Sequence, residues 1–165
     1  MKTKKVSKKM KVHYSSDTNE WATPQELFNR LNESYNFSLD PCCTKKTAKC
    51  KTFITKEQDG LNQTWGSHRV FCNPPYGREI GKWIKKAYEE SLTGALVVCL
   101  IPSRTDTKYW HEYCMKARHI VLFRGRIKFE RDDGLIAPAP FPSCLVIFGV
   151  KTYIDCMPTF SSMNA

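Results

Sequence analysis

The chain has 165 residues, a net charge of +10 and 41% apolar residues. That is one domain's worth of chain with an ordinary core, which excludes a disordered protein or a multi-domain assembly. No run approaches the ~20 apolar residues of a spanning helix, and no apolar stretch follows the charged start as in a secretory leader. A cytoplasmic protein without a membrane partner is expected.

Six lysines (Lys2, Lys4, Lys5, Lys8, Lys9 and Lys11) hold six of the ten excess charges and have no acid among them. Such a block reads as a solvated tail with affinity for phosphate or as a solubilising end. The expected organisation is a basic tail over 1–15, a folded domain over 16–155 and a C-terminal tail over 156–165. The eight cysteines show no second C-x-x-C and no paired histidines, so Cys42, Cys43 and Cys50 are not read as a zinc site. No metal is expected, and the thiols are expected to be reduced.

Thr23-Pro24-Gln25-Glu26 reads as a helix start, with Thr23 as N-cap, Pro24 at the first helical position and Glu26 completing a capping box. Leu27, Phe28, Leu31 and Tyr35 then share one helical face. Phe37 to Asp40 reads as a short strand ended by Pro41, and residues 42 to 52 as a polar, lysine-rich loop. Thr52 to Thr55 is a second short strand, and Asp59-Gly60-Leu61 a turn.

Val70 to Asn73 reads as a strand that runs into Asn73-Pro74-Pro75-Tyr76. Two prolines lack amide hydrogens and fix φ, and Pro75 holds Pro74 extended. The result is a stiff elbow carrying an amide side chain, a carbonyl and an aromatic ring. That set suits a planar heterocycle with an exocyclic amine: the Asn73 oxygen and Pro74 carbonyl accept from the amine, and Tyr76 stacks on the ring.

Ile80, Trp83, Ile84, Ala87 and Tyr88 follow at helical spacing, and Thr93-Gly94 stops the helix. Ala95 to Ile101 is an unbroken apolar run, the pattern of a strand covered on both faces. Tyr109 to Ala117 reads as a helix. Ile120 to Phe123, Ile127 to Phe129 and Cys144 to Val150 read as strands, the last two as an antiparallel pair. A loop with Pro138, Pro140 and Pro142 lies between that pair. The alternation of strand and helix predicts a mainly parallel α/β sheet. Ligands of such sheets sit beyond the carboxyl ends of the strands, where Asp40, Asn73 and Pro102 converge.

An ordered set of segments carries a family resemblance. It consists of Trp21-Ala22-Thr23-Pro24, Leu39-Asp40-Pro41-Cys42, Asp59-Gly60-Leu61, Phe71-Cys72-Asn73-Pro74-Pro75-Tyr76-Gly77, Leu100-Ile101-Pro102, Gly125-Arg126-Ile127-Lys128-Phe129 and Pro140-Phe141-Pro142-Ser143. From Trp21 to Phe148 the chain resembles the small phage-type, Dam-like DNA N6-adenine methyltransferases. These are a branch of the Rossmann-like S-adenosylmethionine-dependent methyltransferases.

The resemblance implies S-adenosyl-L-methionine as cofactor and double-stranded DNA as partner, with the enzyme a monomer or weak homodimer. Asn73, Pro74, Pro75 and Tyr76 would form the catalytic elbow for a flipped adenine. Asp40 and Pro41 would meet the methionine or ribose part of the cofactor, and Asp59 its adenine amine. Trp21, Thr23 and Pro24 would line the methionine end, beside Asn73. Thr23-Pro24 is equally explained as a helix cap, and Asp40 and Asp59 as turn formers.

The sequence departs from related methyltransferases after Asp40-Pro41, where no glycine occurs until Gly60. A cofactor loop of another shape and a reduced fold are therefore expected. Arg104, Lys108, Arg124, Arg126 and Lys128 are the candidate DNA contacts, against the alternative of a solvated basic face. Methylation of RNA or of a protein amide nitrogen, and an inert DNA-binding protein on the same fold, are the rival functions.

Overall fold

The computed structural model describes residues 21–130, 134, 136–149 and 157–165. The basic tail expected over 1–15 lies outside the described residues. Helix α1 (Gln25–Tyr35) opens the described fold and buries Leu27, Phe28 and Leu31. It ends at Asn36, whose φ of 48° is the left-handed cap that a short polar side chain tolerates. Phe28 packs edge-on against Phe71, and Phe37 joins the pair.

The expected N-cap is not formed. The side chain of Thr23 makes no bond to the start of α1, and Pro24 occupies the cap position with extended backbone. Thr23 has another partner, described below.

Strands β1 (Leu39–Cys43), β2 (Thr52–Thr55), β3 (Arg69–Cys72) and β4 (Leu96–Pro102) follow. Later in the chain come β5 (His119–Arg124), β6 (Lys128–Glu130), β7 (Ile136–Pro138), β8 (Ser143–Phe148) and β9 (Thr159–Asn164). Seven strands form one sheet in the order β2-β1-β3-β4-β8-β5-β9. Only β8 runs against its neighbours β4 and β5. The protein is thus a mixed α/β fold with a mostly parallel sheet, compatible with a methyltransferase-like fold. Val97 to Ile101 of β4 are wholly buried, as the unbroken apolar run requires. Helix α2 (Ile80–Leu92) joins β3 to β4, and α3 (Lys108–Glu112), shorter than its sequence span suggests, lies between β4 and β5.

Three differences from the sequence reading bear on the site. Pro41 does not end β1; the strand continues to Cys43 with its register to β2 shifted between Asp40 and Cys43. An irregularity of this kind accommodates a residue with no amide to donate. The partner of β6 is β7, and β8 instead enters the main sheet. β7 lies within the expected proline loop; Pro138 fits there because β7 is an edge strand of its two-stranded sheet. Finally, the segment read as a C-terminal tail contributes β9, paired parallel to β5 from Thr159 to Asn164.

β1 and β2 are parallel neighbours joined through residues 44–51, without an intervening helix. Parallel neighbours usually need a crossover of a dozen or more residues, commonly a helix; here the loop of residues 44–51 makes the connection. From β1 the chain moves outward to β2 and then returns to the other side of β1 with β3. The order of strands therefore reverses between β1 and β3. Reversal opens a crevice at the carboxyl ends of those two strands.

Candidate active site

That crevice has a volume of about 1490 Å³. This exceeds the roughly 300–1,000 Å³ of a usual small-molecule cleft, so it has room for two ligands side by side. Asp40 and Pro41 line it from β1, Asn73, Pro74 and Pro75 from the elbow after β3, Asp59 from the turn after β2, and Trp21 and Thr23 from the segment before α1. Eight of the ten residues assigned to catalysis and cofactor from the sequence thus meet in one place. Pro24 and Tyr76 do not line the crevice, and neither does Pro102, which stands one strand farther along.

The Asn73 carboxamide has an assigned partner on each side. Its Nδ2 donates to the Trp21 carbonyl and, at 2.9 Å, to Thr23 Oγ1. Its Oδ1 accepts the Tyr76 hydroxyl at 2.6 Å. A carbonyl only accepts, so the nitrogen must be the end that faces Trp21. One lone pair of Oδ1 stays available. Among the described residues no donor engages the Pro74 carbonyl oxygen either. Two acceptors therefore stand together at the elbow, the pair the sequence anticipates for an exocyclic amine.

Tyr76 differs from its expected placement. Its ring is 5% exposed. Phe141 and Phe129 meet it edge-on, with centroids 5.3 and 6.1 Å away. Its hydroxyl proton is shared between Asn73 Oδ1 and the Leu100 carbonyl, 3.1 Å away. Burial holds the phenol well above its usual pKa, so it stays a donor. In this structure the ring braces the elbow from behind and offers no face for stacking.

Trp21 completes that aromatic cluster through Phe129 and Phe141. The segment carrying it is tied to β6 by two backbone bonds between Ala22 and Glu130, of 3.1 and 3.2 Å. Phe129 is core, as its alternation with exposed Lys128 predicts.

Asp40 is 3% exposed yet lines the crevice. It accepts from the Lys49 amide at 3.1 Å and weakly from the Cys42 amide at 3.4 Å. Burial outweighs these bonds and pushes its carboxyl up to about 6. A carboxylate so desolvated and so thinly partnered favours a cation or a pair of hydroxyl donors. Asp59 is held as a turn former: its φ is 53°, and its carboxylate oxygens accept from the Leu61 amide and the Asn62 side chain.

Neighbouring Gly60 is the close-approach glycine of this site, because its backbone rests on the Pro41 carbonyl. It supplies from the far side of β1 the steric freedom that the strand's own turn lacks.

The family described as DNA N-6-adenine-methyltransferase (Dam) matches residues 11–165. The chain belongs to this Dam family. It is 33% identical over 137 residues to the DNA N-6-adenine-methyltransferase of Haemophilus phage HP1 (strain HP1c1), which covers 81% of this chain and 75% of the relative.

The cations proposed for DNA contact in this Dam family member are all exposed and lie outside the crevice. Arg104 follows β4, Lys108 pairs with Glu112 at 3.5 Å on α3, and Arg124, Arg126 and Lys128 lie from the end of β5 into β6. Those that do line the crevice are Lys45, Lys49, Lys56 and Arg78. Sequence reasoning passed over them. Arg78 carries the one usable signal, two residues beyond the elbow tyrosine; the lysines sit in a loop whose course only the sheet reveals. Burial lowers the Lys49 pKa, and its Nζ donates to Gln25 Oε1 at 2.9 Å. Among the described residues no helix is long and apolar enough to cross a membrane, and no cluster of three or more His, Cys, Asp or Glu could hold a metal ion.

Proposed function

We propose that the protein transfers the methyl group of S-adenosyl-L-methionine to N6 of an adenine flipped out of double-stranded DNA. The fold would be a reduced Rossmann-like methyltransferase, monomeric or weakly dimeric, acting in the cytoplasm of the cell that holds the DNA. The observation that carries the reading is the Asn73 carboxamide. Its nitrogen is tied to Trp21 and Thr23, which leaves its oxygen an acceptor, and Pro74, whose carbonyl no described residue engages, lines the crevice with it. Membership of the Dam family supports the choice of adenine and DNA.

The cofactor fits the residues present. Asp40 would accept from its ribose hydroxyls or ammonium group, the need that a buried and thinly bonded carboxylate creates. Thr23 and the Trp21 backbone would bound the methionine end. Leu61 and Trp83 give apolar walls beside Asp59, as a purine ring requires. When bound, the cofactor supplies an electrophilic methyl on a sulfonium.

The chain's own part is acceptance and alignment. Adenine N6 is a poor nucleophile because its lone pair is delocalised into the ring. Asn73 Oδ1 and the Pro74 carbonyl would each accept one N–H, drawing N6 toward tetrahedral geometry and localising that pair. Pro75 would keep the carbonyl from turning away, since two adjacent prolines leave the elbow little freedom. Orientation then supplies much of the rate, and the displaced proton leaves after transfer. Arg104, Lys108, Arg124, Arg126 and Lys128 would hold phosphates on the approaching duplex.

The test is transfer of labelled methyl from S-adenosylmethionine to duplex DNA, RNA and protein, with nucleoside digestion of the product. N6-methyladenosine from the DNA arm, as the deoxynucleoside, is expected. Label in protein or RNA alone would overturn the reading.

A further inference from the structure

We infer that Thr23 is a positioning residue which, with the Trp21 carbonyl, holds the nitrogen of the Asn73 carboxamide and so leaves its oxygen as the free acceptor; this rests on the reading of Asn73 as an amine acceptor. A carboxamide is nearly symmetric in shape. Turning it by half a revolution exchanges acceptor for donor, and only its partners decide which way it stands. Turned the wrong way, Asn73 would present N–H to an incoming amine, and no bond would form.

The Tyr76 side does not decide the orientation. A hydroxyl can donate to Oδ1, or it can accept from Nδ2 while its own proton goes to the Leu100 carbonyl, which lies 3.1 Å away. Both orientations satisfy it. The decision falls to the Trp21 carbonyl on the opposite side, which only accepts; the Thr23 hydroxyl, which could itself donate, anchors the second amide hydrogen at 2.9 Å and so holds the nitrogen against that carbonyl. Thr23 is 4% exposed, so solvent competes little for this bond. Its hydroxyl has no duty at the helix start, because α1 has no side-chain cap bond. The strap that carries both groups is fastened to β6 through Ala22 and Glu130. The elbow's acceptor is thus set by a segment fifty positions earlier in the chain.

Thr23→Val keeps the shape and removes the hydroxyl; Thr23→Ser keeps the hydroxyl. Valine is expected to lower kcat about tenfold or more, with KM for duplex DNA changed by no more than about twofold. Serine is expected to restore kcat. Wild-type kcat in the valine variant, a loss confined to KM, or no recovery with serine would overturn the inference.

A second arm does not need turnover. The Asn73 side-chain amide pair, assigned by its disappearance in Asn73→Ala, is followed by 15N-edited hydrogen exchange. Its exchange is expected to quicken about tenfold or more in Thr23→Val, and unchanged exchange overturns the inference. An inactive wild type would overturn the functional reading, while the exchange arm would still judge Thr23.

Discussion

Gly60 lies so close to Pro41 that a Cβ placed on it would stand 2.0 Å from the Pro41 carbonyl oxygen and 3.1 Å from the Trp83 ring. Its own carbonyl accepts Trp65 Nε1 at 3.0 Å, in the core. The turn bearing Asp59 is therefore clamped from both sides and cannot shift to admit a methyl group. Gly60→Ala is expected to cost about 2–4 kcal/mol of stability, as overpacking against fixed backbone does. It should also weaken binding of S-adenosylmethionine by displacing Asp59 and Leu61 from the crevice. Denaturant melts and calorimetry check the two effects; a wild-type midpoint would show that the turn yields.

Asp40 gives a pH dependence with a defined sign. Its carboxyl titrates at about 6 in the fold against 3.8 unperturbed, burial being the main cause. The folded state thus binds the proton more tightly than the unfolded chain. The Asp40 contribution to stability is complete below about pH 4 and is lost as pH rises to about 6. A ligand that donates to this carboxylate favours the ionised form. Affinity for S-adenosylmethionine should therefore rise as pH increases through about 6. Asp40→Asn should flatten both trends, raise Tm by a few degrees at neutral pH and bind cofactor less well. Calorimetric titrations between pH 5 and 8 check this; parallel profiles for wild type and variant would remove Asp40 from the site.

Tyr76 separates bracing from stacking. Tyr76→Ala opens a cavity behind the elbow and should cost about 3–5 kcal/mol. Tyr76→Phe keeps the ring and leaves the Leu100 carbonyl without its hydroxyl. A loss of about 1–2 kcal/mol is expected, with methyl transfer within a few-fold of wild type, because Trp21 and Thr23 still orient Asn73. Chemical denaturation and single-turnover transfer measure the pair. A phenylalanine variant of normal stability and abolished turnover would show that the hydroxyl acts in the chemistry.

Asp40 and Asn73 were legible because each precedes a proline, Asp40 within β1 and Asn73 just past β3, and a mostly parallel sheet brings such strands together. Their meeting in one crevice followed from that pattern; that Pro102 stays out of it did not, because β4 lies one strand beyond β3. Thr23 misled because its neighbours spell a helix start, so local grammar accounted for a hydroxyl whose partner is fifty residues away. β7 was hidden by Pro138, which an edge strand tolerates. β9 carries a polar, irregular sequence. His119 holds it from β5, with its ring nitrogens on the hydroxyls of Thr159 and Ser161, a contact that no pattern within either segment announces.

The choice of asparagine over aspartate at position 73 follows from the same strap. A carboxylate would be as good an acceptor toward an amine, but its second oxygen would face the Trp21 carbonyl, where the amide now donates. Two acceptors in contact repel, so Asn73→Asp should lose methyl transfer by about 100-fold at neutral pH. Protonation of that carboxyl would return a donor to Trp21. The ratio of variant to wild-type kcat, at saturating cofactor, should therefore climb as pH falls, since the neutral acid is the working form. A ratio constant between pH 5 and 8, or an aspartate variant as active as wild type, would show that the Trp21 carbonyl does not select the amide.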